Sequence, residues 1–502
     1  MVAQVIGKAA VGASRISAEA RALGPAKRQE LSVEVLAKTG SLTRLAARHG
    51  VSRKFLYAQR LKAKAALDEA FAVEGDDKAV LYYLPITKSW IRQFVLGLAL
   101  EGHASFRGIG QLGRNLLDYD LSLGTVHTIV QAAAEQARGI NQARDLAGIR
   151  VGAHDEIYQA DRPVLVGVDV KSTYCYLLSE AERCDETTWG VHLLDLERQG
   201  LRPDYTVADG GTALRAGQAA AWPQVPCHGD VFHAERELGK LAYYLANRAA
   251  GCVRARRKLE HKMERSKRHG RGNQLSRKLV LVRQAELEAV ALAQDVRLLA
   301  DWLREDILSL AGPNLPTRRE LFDFVVQELG RREDLCPYRI GPVRRALAAQ
   351  RDDLLAFADV LEEEFAALAE QFDVPAFWVQ QLCQLQARRT HSPAYWQHRG
   401  PLVAKLREKF LPLQQAVSAV MTDTARASSL VENLNSRLRN YFFLRRDLGN
   451  GYLDLLRFFL NHHGFQRSRR TERANKSPTE LLTGQNHPHW LEMLGFQRFH
   501  RQ

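Results

Sequence analysis

The sequence predicts an α/β chain: a mixed-sheet core interrupted by a large all-α insertion and preceded by two α-helical helix-turn-helix units. Three observations predict it. Apolar residues recur at helical spacing up to about residue 140, and capping residues punctuate them. After residue 150 the period switches to strand-like runs, and after Asp230 helical spacing returns for roughly 200 residues. The 502 residues allow about three or four units of ordinary size. With 46% apolar residues the chain can build a core, which excludes global disorder.

Residues 1–26 are Ala/Gly-rich without periodicity and are expected to form a flexible arm. Three short helices follow in 27–70, around Glu30–Lys38, Leu42–His49 and Arg53–Lys64. Gly50-Val51-Ser52 forms the turn, with Gly50 at a helix C-terminus and Ser52 capping the next helix. The third helix carries Arg53, Lys54, Tyr57 and Arg60, whose donors suit phosphates and base edges, so the unit resembles a DNA-binding helix-turn-helix. A second unit of similar plan, within 71–140, has helices over Trp90–Leu100, Ser105–Leu117 and Leu123–Ala137. It contains Gly108, Gly110 and Gly113 in a GxGxxG spacing, but no strand precedes them, so a dinucleotide site is not expected.

In 150–235 the segments Gly152–Gln159, Arg162–Val170 and Ser172–Ser179 are strand-like. A helix over Asp185–Gln199, a strand Tyr205–Ala208, a helix Thr212–Ala221 and a strand near Gln224–Cys227 complete the order βββαβαβ, which is that of a ribonuclease-H-like fold. Residues 236–420 form the helical insertion, with Val343, Leu347, Leu354, Phe357, Leu361, Phe365 and Leu368 on one stripe. Residues 421–502 return to the core and end in a basic tail.

The net charge is +14, which favours polyanionic partners. The excess is local: 251–278 holds eleven Lys/Arg against two Glu, and 426–502 thirteen Lys/Arg against six acids, including an arginine run from Arg467 to Arg473. No apolar run approaches the ~20 residues of a membrane span, and the first residues lack the pattern of a secretion signal. Six cysteines without a CxxC pair suit reduced thiols of a cytoplasmic protein. Cys227, His228 and His233 lack a second ligand pair at zinc-finger spacing, and His462-His463 is read as a helix end.

Three acids stand where strand and helix ends can converge: Asp155 in GAHDEIYQ, Asp209 in YTVADGGTAL and Glu432 in SSLVENLNSRLRNYF. Carboxylates so placed can hold two Mg²⁺ or Mn²⁺ ions for an in-line displacement at phosphorus. Glu156 and Asp169 are rival acids on the first and second strands.

The blocks HDEIYQ, VADGGTALRA…AWPQVPCHGDVFHAERELGKLA and SSLVENLNSRLRNYF…LLRFFLNHHGFQRSRR…KSPTELLTG resemble those of DDE transposases, of the bacterial and Mutator-like type with a helical insertion before the last Glu. The resemblance covers about residues 150–485. It implies Asp155, Asp209 and Glu432 as metal-binding triad, and Asp230 and His233 as accessory site residues. It also implies that Asn435, Arg437 and Arg439 extend from Glu432 along one helix toward the DNA backbone. The implied partners are double-stranded DNA, as transposon ends and target, and further copies of the chain; the implied location is the bacterial nucleoid. A base-stacking role is implied for an insertion aromatic, where Trp378 and Trp396 otherwise read as core. A transposase-derived regulator without catalysis and a stand-alone nuclease remain the alternatives.

Overall fold

Ser and Thr caps start most of the N-terminal helices, because a hydroxyl can accept from backbone N–H groups left orphaned in the first turn. The computed structural model describes residue 20 and residues 23–71, 80–268, 273–426, 429–445, 448–468 and 470–499. Most of the arm expected over 1–26 lies outside them. The chain divides into one unit of residues 1–86 with 499–502 and a second of 87–498.

In the first unit, α1 (Pro25–Leu36), α2 (Leu42–Arg48) and α3 (Arg53–Ala70) close on Leu31, Val35, Leu45, Val51 and Leu56. Ser52 accepts from the Phe55 N–H at 3.1 Å, and Gly50 takes φ +64° in the turn before it. Arg53, Lys54 and Tyr57 are exposed on α3, and the Arg60 guanidinium lies 5.3 Å from the Tyr57 ring centroid.

The second unit opens with α4 (Lys88–Leu100), α5 (Phe106–Leu117) and α6 (Leu123–Gln142), capped by Thr87, Ser105 and Ser122. These helices are not a body of their own: Val95, Leu96, Ile109, Val126 and Val130 share a core with strand residues Ala153, Val164 and Val166. Gly110 and Gly113 of the GxGxxG spacing lie inside α5 against Tyr119 and Leu121, so close packing explains them.

The sheet has β1 (Val151–Gln159), β2 (Arg162–Asp169), β3 (Cys175–Glu180), β4 (Tyr205–Ala208) and β5 (Cys227–Gly229), in spatial order β3-β2-β1-β4-β5. The first three are antiparallel, whereas β4 runs parallel to β1 and β5 parallel to β4. On one face α7 (Glu186–Arg198) and α8 (Thr212–Ala221) bury Trp189, Leu193 and Leu214. The other face takes α4–α6, α17 (Ser429–Phe443) and α18 (Gly449–His462). His462, buried at 4%, does end α18, as expected.

The insertion starts one residue after Asp230. Helix α9 (Val231–Arg268) pairs with α10 (Asn273–Trp302), and α11 (Leu315–Arg331), α12 (Pro337–Ala349) and α13 (Arg351–Gln371) complete that core. A second core joins the end of α13 to α14 (Ala376–Gln386), α15 (Pro393–Leu406) and α16 (Phe410–Asp423). The apolar stripe is buried from Leu347 to Leu368 as expected, with Val343 partly buried, but two helices broken at Gln350 carry it. Trp378 packs partly buried in the second core, whereas Trp396 is 59% exposed and not the core residue expected. No helix among the described residues is long and apolar enough to cross a membrane.

Helices α7 and α8 cross at Gly217, where a Cβ would fall 2.6 Å from the Glu186 carbonyl oxygen and 2.6 Å from Trp189 Cβ. Backbone cannot yield as a flexible side chain does. Gly217→Ala is expected to destabilise the second unit by about 1–3 kcal/mol, read as a lower urea midpoint. An unchanged midpoint would show that the two helices separate freely.

Candidate active site

Strand alternation points Ala153, Asp155 and Ile157 of β1 to the face covered by α17, and His154 to the face under α7. Asp155 is buried. Its Oδ1 accepts from the Glu156 N–H at 2.9 Å and its Oδ2 from Asn435 Nδ2 at 2.8 Å. Asp209 and Asp230 directly follow β4 and β5, at the carboxyl ends of the parallel strands, where open α/β sheets leave room for ligands. The Asp230 N–H donates to the Ala208 carbonyl at 2.9 Å and ties the two ends together.

Glycines shape the space beside Asp209. The Gly211 N–H donates to Asp209 Oδ1 at 2.8 Å, and a Cβ on Gly211 would fall 2.9 Å from that oxygen. At Gly210 a Cβ would lie 2.6 Å from Gln350 Nε2, at the break between α12 and α13. A cavity of about 230 Å³ opens there, lined by Asp209, Gly210, His233, Glu237, Gln350 and Leu354.

Helix α9 brings cations to the same place. Asp230 Oδ1 accepts from the Phe232 N–H at 2.8 Å, and Oδ2 lies 2.5 Å from His233 Nδ1. That hydrogen bond to Asp230 raises the His233 pKa. Arg236 Nη1 donates to Glu432 Oε1 at 2.8 Å, His233 Nε2 lies 3.8 Å from the same oxygen, and Arg439 Nη2 lies 3.9 Å from Oε2.

Burial pushes the Asp155 carboxyl up to about 6, and the charges of Asp209 and Glu432 add to the rise. Burial also takes Glu156 up to about 7, with Asp209 and Asp155 adding, and its Oε2 is buried without a hydrogen-bond partner. Three segments far apart in sequence therefore press negative charge on one another.

The structure thus brings Asp155, Asp209, Glu432, Asp230, His233, Asn435 and Arg439 together. Arg437 goes elsewhere: it opens onto cavities with Cys175 and Tyr441, off the face that Glu432, Asn435 and Arg439 share. Of the rival acids, Asp169 is occupied in a turn, accepting from the Ser172 N–H at 2.7 Å and from its hydroxyl. Glu156 belongs to the cluster but interacts with Asp209 and Asp155, whereas Asp155 interacts with Asp209 and Glu432 as well. Arg236 was not foreseen. Its signal lay in HAER, where Arg236 follows His233 at i+3 on one helical face. His228 stacks on Tyr205 at 4.3 Å, and Cys227 is partly buried among the residues under α7 and α8, so neither joins His233 as a zinc set.

No three His, Cys, Asp or Glu side chains form a ready metal cluster among the described residues. The donor chemistry nonetheless fits a hard cation. The acids offer only oxygen, one buried oxygen of Glu156 has no partner, and burial, with the neighbouring carboxylates adding, raises two of the carboxyls. Glu432 has a counter-charge in Arg236.

No family model and no curated protein matches the chain. The site's geometry therefore carries the functional reading.

The raised carboxyls carry a pH dependence. A carboxyl whose folded pKa exceeds its unfolded value favours the fold while protonated and loses that contribution as pH rises through the folded pKa. For Glu156 the window runs from about 4.5 to about 7. Glu156→Gln is expected to raise Tm at pH 8 but not at pH 4. Equal Tm differences at both pH values would remove the strain assigned to this carboxylate.

Proposed function

We propose that the chain is a DNA transposase with a ribonuclease-H-like catalytic core, acting by phosphodiester hydrolysis and 3′-hydroxyl strand transfer. The observation that carries the reading is the electrostatic coupling of Asp155 to both Asp209 and Glu432, which span three segments of the chain. The strand order, with three antiparallel strands followed by two parallel ones, supports the ribonuclease-H-like core. Exposed Arg53, Lys54 and Tyr57 on the helix after a capped turn support recognition of duplex DNA by the first unit.

Asp155, Asp209 and Glu432 would hold a pair of Mg²⁺ or Mn²⁺ ions, which supply the positive charge that activates an attacking oxygen and stabilises a leaving one. The chain's own residues prepare that site. Asn435 fixes the Asp155 carboxylate, the Gly211 N–H fixes that of Asp209, and Asp230 orients the His233 ring. Arg236, with the His233 ring beside it, is a donor next to Glu432, suited to non-bridging phosphate oxygens. Joining two ends in one event calls for at least a homodimer, working where its DNA is, in the cytoplasmic nucleoid.

One observation favours a second reading, a DNA-binding regulator without catalysis: Glu432 is already neutralised by Arg236 at 2.8 Å.

The test is cleavage and joining of a duplex that carries the element's ends. Wild type is expected to cut only with Mg²⁺ or Mn²⁺ and to give joined products. Asp209→Ala should lose about a hundredfold or more, the scale of removing one group that stabilises transition-state charge. Asn435→Ala should lose about 10–100-fold, as for groups that orient a metal ligand. Activity surviving Asp209→Ala would sink the triad; binding without any cleavage would favour the regulator, and cleavage without joining a nuclease. In parallel, Mg²⁺ should raise the wild-type Tm at pH 8 and leave Asp209→Ala unmoved.

A further inference from the structure

A second polar cavity, of about 270 Å³, lies between α17, the turn after β2, α18 and the segment that follows it. Its polar wall includes Thr173, Asn433, Arg437, Asn461, Arg467 and Arg473, and no carboxylate lines it. Arg437 follows Glu432 by five residues, so it projects about 140° round the helix from the acid that faces the carboxylate cluster.

The three arginines have little to neutralise them. Burial lowers the Arg437 pKa, and the groups that counter this, Tyr441 and Cys175, are neutral near pH 7; burial holds the Cys175 thiol up at about 12. Arg473, 9% exposed, donates from Nη2 to the Lys171 carbonyl at 2.7 Å. Burial lowers its pKa and the charge of Arg470 adds, while Glu472 and Asp169 act the other way. Asp169 is itself occupied by Ser172. Arg467 is exposed at the rim. The Asn461 amide bonds to the Cys175 backbone, donating to its carbonyl and accepting from its N–H at 2.8 Å each, which ties this wall to β3.

Like charges gathered in a concave, partly buried place repel each other unless an anion joins them. Guanidinium forks match phosphate oxygens, and a chain at +14 meets phosphate most densely on nucleic acid.

We propose that this cavity seats one backbone phosphate of a bound polynucleotide, held by Arg437, Arg467 and Arg473, apart from the carboxylate cluster. The phosphate positions the strand and takes no part in the chemistry. The inference rests on the nucleic-acid reading above for the source of the phosphate, while the cavity's preference for an anion stands on its own lining.

The full chain is titrated with a fluorescent duplex across a salt series, as wild type, Arg437→Gln and Arg467→Glu. Arg467 is exposed, so its variant tests the cavity without disturbing the core. Each substitution is expected to weaken binding by about tenfold and to shrink the log-affinity slope against log salt by about one. A second arm follows Tm with inorganic phosphate replacing chloride at constant ionic strength. Wild type is expected to gain Tm and both variants to gain less. Unchanged duplex affinity and slope in both variants would overturn the polynucleotide source, even if the phosphate-induced shift is lost, which would leave a site for free phosphate. Variants identical to wild type in both arms would overturn the anion cavity. A wild type that binds no duplex fails the nucleic-acid reading, and with it the polynucleotide source; the phosphate arm then judges the cavity alone.

Discussion

The hydrogen bond from Asn435 to Asp155 joins residues 280 apart and determines how α17 lies on β1. A charge-assisted bond of this kind is worth about 1.5–3 kcal/mol, and losing it would leave a buried carboxylate poorly satisfied. Around it the helix has little freedom. Val431 and Leu438 are buried against the sheet, and Glu432 and Arg439, three residues before and four after Asn435, share its face. Fixing one amide therefore fixes the third acid of the cluster.

The same constraint explains how an insertion of such length is tolerated. Its two ends meet at a backbone hydrogen bond, from the Val231 N–H to the Arg426 carbonyl at 2.9 Å, close to where β5 ends. Loop-closure entropy grows only with the logarithm of length, about 0.6 kcal/mol per doubling, so once the ends are joined the length between them matters little. The insertion is not a passive loop. Its helix break at Gln350 docks on Gly210, Asp353 takes Arg215 at 2.7 Å, and a Cβ on Gly229 would fall 3.0 Å from Leu354.

Much of this was legible in the sequence because it depends on short-range rules. Ser52, Thr87, Ser105 and Ser122 mark helix starts through contacts three residues away, and the β1–β3 runs show their burial directly. Grouping Arg437 with Asn435 and Arg439 overlooked the helical repeat, which Glu432, Asn435 and Arg439 follow and Arg437 does not. Other features had no local signature. The pairing of Arg236 with Glu432 spans 196 residues, and the merging of α4–α6 into the sheet's core is a tertiary choice that amphipathic spacing alone leaves open. The break at Gln350 carries neither Pro nor Gly, and it lies where the insertion packs on Gly210 and Gly229. Trp396 fills a helical spacing yet stays exposed, with Arg399 5.5 Å from its ring centroid.

The charges of the second unit divide by partner. Glu432 has Arg236 within 2.8 Å, so of the three carboxylates it is the one neutralised from within the chain. Asp155 and Glu156 are raised by burial, which the charge of His233 only partly offsets, a state that added positive charge would reverse. A cation arriving beside Asp155 and Asp209 would compete with Arg236 for Glu432, and a guanidinium released there would face whatever anion accompanies the cation. A phosphate meets both needs, since its charge suits the freed arginine and its oxygens suit the metal. On the proposed reading, the Arg236–Glu432 pair would hold a charge in reserve, to be exchanged when cation and phosphate arrive together.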